Sequence, residues 1–188
     1  LAYQVANLVF PLVPVALVLY LLWVYQRPHG GPLRSMGFDL RRPGFDLGVG
    51  SAVFVGIGAG GLVLYYAFRE LGYNTSVSPA NLAAAWWTVP MLLLLAVKNA
   101  VLEEVVMVGY LFTRWRQSGG GILAVLAGSA LIRGAYHLYQ GFGGFVGNVV
   151  MGLLFGWLYL RTRRVMPLVV VHSLLDIFAF VGYALLKP

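Results

Sequence analysis

Two adjacent carboxylates, Glu103 and Glu104, stand in a segment of the chain that is otherwise almost entirely apolar. An ionisable group at membrane depth costs about 2.5–3.5 kcal/mol on insertion scales, so such groups tend to face a protein interior and to mark function. A buried carboxylate of this kind can act as a general base toward water. The pair therefore predicts chemistry that begins with the removal of a proton from a water molecule.

Two further pairs of polar residues lie in later apolar runs, and each pair is spaced by four residues. Arg133 and His137 form the first pair, and His172 and Asp176 form the second. This spacing places both members of a pair on one face of a helix. A histidine can share a water or carry its proton, and a second His–Asp pair can stabilise an oxyanion or hold a metal with the acids. Together these groups predict a site that activates water, and hydrolysis of a peptide bond is a reaction that needs these roles and no thiol.

The alternative is a buried polar network that only ties helices together. The whole chain contains six acidic residues and three histidines. The apolar runs hold three of those acids and two of those histidines, which favours a functional site. These residues require no particular cofactor. If the site holds a divalent metal such as zinc, its ligands would be Glu103, His137 and His172.

The elements that must position these residues are membrane helices. The chain has 188 residues, of which 60% are hydrophobic and 10% charged, a composition typical of an integral membrane protein. Lipid-exposed backbone must satisfy its own hydrogen bonds, so the apolar runs predict an all-α, polytopic bundle. We expect about six spanning helices, at residues 5–25, 48–68, 83–113, 122–139, 145–160 and 166–186. The absence of cysteine excludes a thiolate nucleophile and any disulfide.

We expect residues 1–188 to form a single membrane domain, in which 1–82 supply the N-terminal helices and a loop and 83–188 form the core with the polar residues. The arginines fall mainly in the loops 26–47, 114–121 and 161–165. Six crossings place these loops on one side, which the positive-inside rule makes cytoplasmic. The net charge of +7 is therefore explained by basic residues in the cytoplasmic loops, and nucleic acid is not an expected partner.

The loop 26–47 is rich in Pro, Gly and Arg, which predicts a short interfacial helix on the cytoplasmic side. Gly56, Gly58 and Gly61 match a dinucleotide-binding pattern, but they lie inside an apolar helix rather than between a strand and a helix. Gly56 and Gly60 also fit the G-x-x-x-G spacing of closely packed membrane helices. The glycines therefore predict close helix packing.

Three strings resemble the motifs of one protein family, the CAAX-protease and bacteriocin-processing membrane proteins. LEEVVMVGYLF resembles the family motif E-E-x-x-x-R-G-x-L, AYHLYQG resembles F-x-x-x-H, and VHSLLD resembles H-x-x-x-N/D. The strings occur in the family order and on separate predicted helices, and the resemblance covers about residues 85–188. It implies an intramembrane endopeptidase, similar to the type II CAAX prenyl endopeptidases, and the style of the motifs suggests a bacterial member in the plasma membrane.

The resemblance also implies residue roles. Glu103 would be the general base on the attacking water, His137 its partner, and Glu104 a supporting and orienting group. His172 and Asp176 would line the oxyanion side. Family members are described as metalloproteases, while the best-studied type is argued to be a glutamate protease, and the residues of this chain suffice for either scheme.

Two positions depart from the family motifs. The arginine of the first motif is replaced by Val108, and the phenylalanine of the second by Arg133. Our hypothesis is that the guanidinium has moved, so that Arg133 supplies the positive charge that Val108 cannot. The alternative is a weakened or inactive member of the family.

The depth of the residues poses a separate problem. At about 1.5 Å per residue along a helix, Glu104 and Asp176 lie near mid-membrane, whereas His137 lies roughly 9 Å further out. A strong tilt, or a break at Gly128 or Gly134, would bring the histidine to the acids.

We therefore expect an endopeptidase whose substrate is a peptide or membrane-protein segment that enters from the membrane or the cytoplasm. Two alternatives remain open. A transporter or channel would use the intramembrane acids and histidines as a proton or cation path. A non-catalytic scaffold or immunity protein would bind a partner in the membrane.

Overall fold

The structure is a computed structural model that describes residues 2–26, 31–73 and 86–186, and its elements are helices. In chain order the α-helices are α1 (Ala2–Val9), α2 (Val13–Gln26), α3 (Gly31–Ser35), α4 (Pro43–Glu70), α5 (Thr88–Glu103), α6 (Leu111–Gln117), α7 (Ile122–Tyr136), α8 (Phe142–Thr162) and α9 (Met166–Leu186). A 3-10 turn at Phe10–Leu12 joins α1 to α2, because Pro11 cannot donate a backbone hydrogen bond. A π-helical segment, Glu104–Tyr110, joins α5 to α6.

The described residues confirm an all-α architecture, and some of its helices are candidates for crossing a membrane. Three helical stretches are long and apolar enough to cross a membrane: Ala2–Val24, Pro43–Glu70 and Phe142–Thr162. Two shorter apolar helices cover Ile122–Tyr136 and Met166–Val181. The third predicted run is helical from Thr88 onward, and its first residues, 83–85, lie outside the described part of the chain.

Two boundaries differ from the predicted runs for local reasons. Helix α4 begins at Pro43 instead of residue 48, because proline is favoured in the first turn of a helix and Asp46 suits the positive end of its dipole. Helix α7 ends at Tyr136 instead of residue 139, and a 3-10 turn, Leu138–Gln140, follows. The short helix expected in the loop 26–47 is present as α3.

Close packing through glycine occurs between α7 and α8. A Cβ atom on Gly134 would lie 2.5 Å from the Val149 side chain, and one on Gly152 would lie 2.8 Å from the backbone of Ala130. Only glycine fits where helices approach this closely.

The glycines of α4 behave differently from the prediction. A Cβ atom on Gly56, Gly60 or Gly61 would meet nothing within 4 Å, and one on Gly58 would make only ordinary contacts. The prediction that these glycines pack closely against another helix of the chain is therefore wrong. Helix α4 packs against α9 through another glycine, Gly50.

A polar cluster ties the turn between α8 and α9 to the segment before α4. The Arg164 guanidinium donates to both carboxylate oxygens of Asp46, each at 2.7 Å, and to Asp39 at 3.0 Å. The amide of Val165 also donates to the carbonyl of Met36 at 2.9 Å. Hydrogen bonds to the two aspartates raise the pKa of Arg164 above its ordinary value. This cluster fixes the start of α9, the helix that carries two of the predicted site residues.

Candidate active site

The two glutamates lie at the junction between α5 and the π segment. Glu103 ends α5 and Glu104 begins the π segment. Glu104 is fully buried, whereas 19% of the Glu103 side chain is exposed. Adjacent residues on a helix point in different directions, so the two carboxylates have different surroundings.

The π segment is held against α7 by a side-chain hydrogen bond. The Ser129 hydroxyl donates to the backbone carbonyl of Met107 at 3.0 Å. A second hydroxyl, that of Thr113, donates to the carbonyl of Gly109 at 2.6 Å. Short π segments inside helices change the direction of the side chains around them and are frequent at functional sites. Ser129 therefore helps to fix the part of the helix that presents Glu104.

Arg133 lies between the two glutamates. Its Nη2 donates to Glu104 Oε1 at 2.6 Å, and its Nη1 lies 3.5 Å from Glu103 Oε2. The side chain is buried, and the guanidinium carbon lies 5.3 Å from the centroid of the Phe155 ring. Val108 is buried in the apolar core, so the positive charge beside Glu104 comes from α7. This is the ion pair that the two departures from the family motifs led us to expect.

His172 shares the same oxygen of Glu104. Its Nδ1 donates to Glu104 Oε1 at 2.7 Å, since a carboxylate can only accept. On the other side of the ring, Nε2 lies 3.7 Å from Asp176 Oδ1. The Asn99 side chain lies 3.5 Å from Asp176 Oδ2 and can hold that carboxylate from α5. Helices α5, α7 and α9 thus contribute to one continuous polar network.

His137 reaches Glu103 without a break in α7. The helix continues through Gly128 and Gly134 to Tyr136, so a break at those glycines, one of the two ways considered to bring the histidine to the acids, does not occur. The chain turns at His137, whose Nε2 lies 3.8 Å from Glu103 Oε2. The end of α7 therefore brings the histidine to the glutamate.

Tyr136 makes the shortest hydrogen bond to Glu103. Its hydroxyl donates to Glu103 Oε2 at 2.6 Å, and its ring lies beside that of His137 at a centroid distance of 4.7 Å. The same carboxylate oxygen therefore faces Tyr136, His137 and the Nη1 of Arg133. These groups form the more exposed half of the network, whereas Glu104 and His172 form the buried half.

All six side chains singled out from the sequence lie in this network: Glu103, Glu104, Arg133, His137, His172 and Asp176. Sequence reasoning missed Asn99, Ser129 and Tyr136. Asn99 interrupts an apolar run four residues before Glu103, a spacing that could have indicated a shared face. Ser129 and Tyr136 carried no comparable signal, because serine and tyrosine are common in membrane helices for other reasons.

The arrangement does not fit the expected metal ligands. Among the residues that the structure describes, no group of three or more His, Asp and Glu side chains is arranged to hold a metal ion. His172 faces Glu104 and Asp176 rather than Glu103, and the Arg133 guanidinium already occupies the space between the acids. The chemistry proposed below therefore uses only side chains and water.

Both the buried and the more exposed half of the network keep unused hydrogen-bonding capacity. Within the described residues, the buried atoms without a hydrogen-bond partner include Glu104 Oε2, Arg133 Nη1 and both ring nitrogens of His137. Buried polar atoms in such number mark a place that binds water or a polar ligand.

Comparison with known proteins places this network in a family. No curated protein and no solved structure matches the chain. Residues 85–178, which carry the whole network, match the family described as type II CAAX prenyl endopeptidase Rce1-like. This match covers half of the chain, and the protein belongs to that family.

Proposed function

We propose that this protein is an intramembrane endopeptidase that hydrolyses a peptide bond with a water activated by Glu103 and His137. The observation that carries the proposal is the 3.8 Å separation between Glu103 Oε2 and His137 Nε2, both polar and facing one another. This contact is longer than a direct hydrogen bond, and a water placed beside the pair can hydrogen-bond to both groups. Membership of an endopeptidase family supports the same reaction.

The first step is attack on the substrate carbonyl. The water oxygen forms a bond to the carbonyl carbon while Glu103 takes the water proton, and His137 holds the water in line. The carbonyl π electrons move to oxygen, which becomes an oxyanion. In the second step a lone pair of the oxyanion re-forms the C=O bond, the C–N bond breaks with its electrons going to nitrogen, and Glu103 returns the proton to the leaving amine. The products are a carboxylic acid and an amine, so atoms and charge balance.

The remaining residues act on the charge that develops. His172 lies between Glu104 and Asp176, and as an imidazolium it can donate from Nε2 to the oxyanion. The Nη1 of Arg133 is a second donor near Glu103. Glu104 holds both cations at one oxygen and so fixes their orientation. Positioned donors of this kind need no reorganisation during the reaction.

We further propose that the chain crosses a bacterial plasma membrane six times, with the arginine-rich loops in the cytoplasm. The three long apolar helices and the two shorter ones supply five of these crossings. The helix that runs from α5 through the π segment to α6 supplies the other. The substrate is a peptide or membrane-protein segment, since the site lies among helices of the membrane core.

The experiment that tests the function compares the reconstituted wild-type protein with Glu103→Gln. The probe is a fluorogenic peptide library in which each sequence is present both unmodified and with a farnesylated cysteine. We expect cleavage by the wild-type protein and about a thousandfold slower cleavage by the variant. Tyr73→Phe, in an exposed residue outside the network, is the matched control. Equal cleavage by wild type and Glu103→Gln would overturn the role of Glu103 as the general base, and no cleavage by either protein would favour the scaffold or transport alternatives.

A further inference from the structure

A separate apolar cavity lies between α4 and α8, away from the polar network. Its volume is about 500 Å³, and all of its lining residues are apolar or glycine. Gly56 and Gly60 line it from α4, and Leu154 and Trp157 line it from α8. Several of these residues are exposed, so the cavity is a groove that opens to the side of the bundle.

The groove exists because α4 and α8 pack against different neighbours. Helix α4 packs against α9, where Gly50 meets Val170, and α8 packs against α7, where Gly152 meets Ala130. Between them, the glycines of α4 remove the side chains that would otherwise fill the gap. At one end of the groove, a Cβ atom on Gly147 of α8 would lie 3.5 Å from the Leu64 side chain of α4.

The groove follows the middle part of α8. It extends from Gly147 to Leu158, within a helix that runs from Phe142 to Thr162, and is about 16 Å long at 1.5 Å per residue. The hydrocarbon core of a bilayer is about 30 Å thick, so an acyl chain that starts at one end of α8 and follows the groove passes the bilayer centre. Its volume and wholly apolar lining suit one flexible apolar chain lying along the groove.

A positive charge lies beside the other end of the groove, the end at Trp157. The guanidinium carbon of Arg161 lies 5.7 Å from the centroid of the Trp157 ring, which is 52% exposed. Arg161 itself is exposed, and in the described parts of the chain no carboxylate lies within ion-pair distance of it. A basic residue at this level attracts the phosphate of an anionic lipid.

We propose that the groove binds one acyl chain of an anionic phospholipid from the leaflet on the arginine-rich side, with the lipid phosphate at Arg161. The apolar lining accounts for the acyl chain, the distance of about 21 Å along α8 from Gly147 to Arg161 accounts for its length, and Arg161 accounts for the headgroup charge. The proposal does not depend on the hydrolytic function, because none of the residues of the polar network lines the groove.

Native mass spectrometry of the purified protein, loaded from equal amounts of phosphatidylglycerol and phosphatidylethanolamine, tests this site. Gly60→Leu places a side chain in the groove, and we expect bound phosphatidylglycerol to fall about tenfold. Gly48→Leu is the matched control, because Gly48 lies on the same helix outside the groove and also faces open space. We expect it to retain the lipid of the wild-type protein.

The headgroup assignment has its own pair of variants. Arg161→Gln should reduce the preference for phosphatidylglycerol about fivefold, whereas Arg69→Gln, at the other end of α4, should leave it unchanged. If Gly60→Leu retains as much lipid as the wild-type protein, the groove is not the lipid-binding site. A wild-type dimer that Gly60→Leu converts to a monomer would identify a second copy as the occupant and would also overturn the proposal. Equal retention of both lipids by the wild type would overturn the role of Arg161.

Discussion

The Arg133 guanidinium lies 2.6 Å from the Glu104 carboxylate, and both side chains are buried. The two residues come from different helices and are 29 positions apart in the chain. A buried carboxylate without a partner costs several kcal/mol. The pair therefore joins the helix that carries the glutamates to the helix that carries His137, and it allows an acid to remain in the apolar core.

The origin of this charge can be tested by moving it. Arg133→Phe alone leaves Glu104 without its cation, and we expect the free energy of unfolding to fall by about 3–5 kcal/mol. Val108→Arg combined with Arg133→Phe returns a guanidinium to the helix of Glu104, one turn beyond it. We expect the double variant to retain more stability and more cleavage than Arg133→Phe, as measured by denaturant titration in micelles and by peptide cleavage. Equal losses in both variants would contradict the hypothesis that the guanidinium has moved.

The π segment offers a second test, because one hydroxyl holds it to α7. Ser129→Ala removes the donor to the Met107 carbonyl, and we expect a loss of about 1–3 kcal/mol in the free energy of unfolding. The matched control is Ser118→Ala, which removes an exposed hydroxyl that donates to the Trp115 carbonyl. If the two substitutions have the same small effect, Ser129 does not support the π segment.

Much of the helical fold could be predicted from the sequence, because each apolar run has the length and composition of a membrane helix. The π segment at Glu104–Tyr110 could not, since an apolar run is compatible with either α or π hydrogen bonding. The open face of α4 could not be predicted either. Gly56 and Gly60 fit a packing motif, but the distance between two helices depends on what each packs against elsewhere.

The candidate site could be identified because ionisable residues are rare in apolar runs. Glu104, Arg133 and His172 meet at one carboxylate oxygen, as the positions of the charges suggested. Tyr136 was missed, because tyrosine is frequent in membrane proteins at the lipid interface. Its hydrogen bond to Glu103 depends on where α7 ends, which the apolar pattern placed three residues too late.

The polar cluster at the start of α9 predicts a specific dependence on acid. Hydrogen bonds from Arg41, with further ones from Arg164, hold the pKa of Asp39 well below its ordinary range. The unfolded chain takes up this proton near pH 3.9, so the folded state gains stability from Asp39 above about that pH and loses it progressively below. We expect the melting temperature of the wild-type protein to exceed that of Asp39→Asn at pH 7. The difference between the two melting temperatures should close as the pH falls toward about 2.

The control for this pH effect is Glu70→Gln, which removes an exposed carboxylate at the other end of α4. Its melting temperature should follow that of the wild-type protein across the same pH range. A gap between wild type and Asp39→Asn that stays constant with pH would show that the charge of Asp39 is not what stabilises the cluster.

The number of membrane crossings can be counted directly, because the chain contains no native cysteine. We expect Tyr73→Cys to react with a membrane-impermeant maleimide in intact cells. Ser35→Cys and Ser118→Cys, in the arginine-rich loops, should react only after the cells are permeabilised. All three positions are exposed. Labelling of Ser118→Cys from outside would show that the helix carrying the glutamates does not cross the membrane.

The two adjacent glutamates should differ in what their loss costs. Glu104→Gln leaves Arg133 and His172 sharing a neutral amide in a fully buried position, and we expect a loss of about 3–5 kcal/mol in the free energy of unfolding. Glu103→Gln keeps an acceptor for the Tyr136 hydroxyl in a partly exposed position, and we expect a loss within about 1 kcal/mol. Peptide cleavage should show the opposite order. The cleavage rate per folded molecule should fall more in Glu103→Gln than in Glu104→Gln, because only Glu103 removes a proton in the proposed reaction. The test measures the free energy of unfolding and the peptide cleavage rate on the same preparations of both variants. If Glu103→Gln unfolds as readily as Glu104→Gln and keeps its cleavage rate per folded molecule, then Glu103 is a structural acid and the general base is another group.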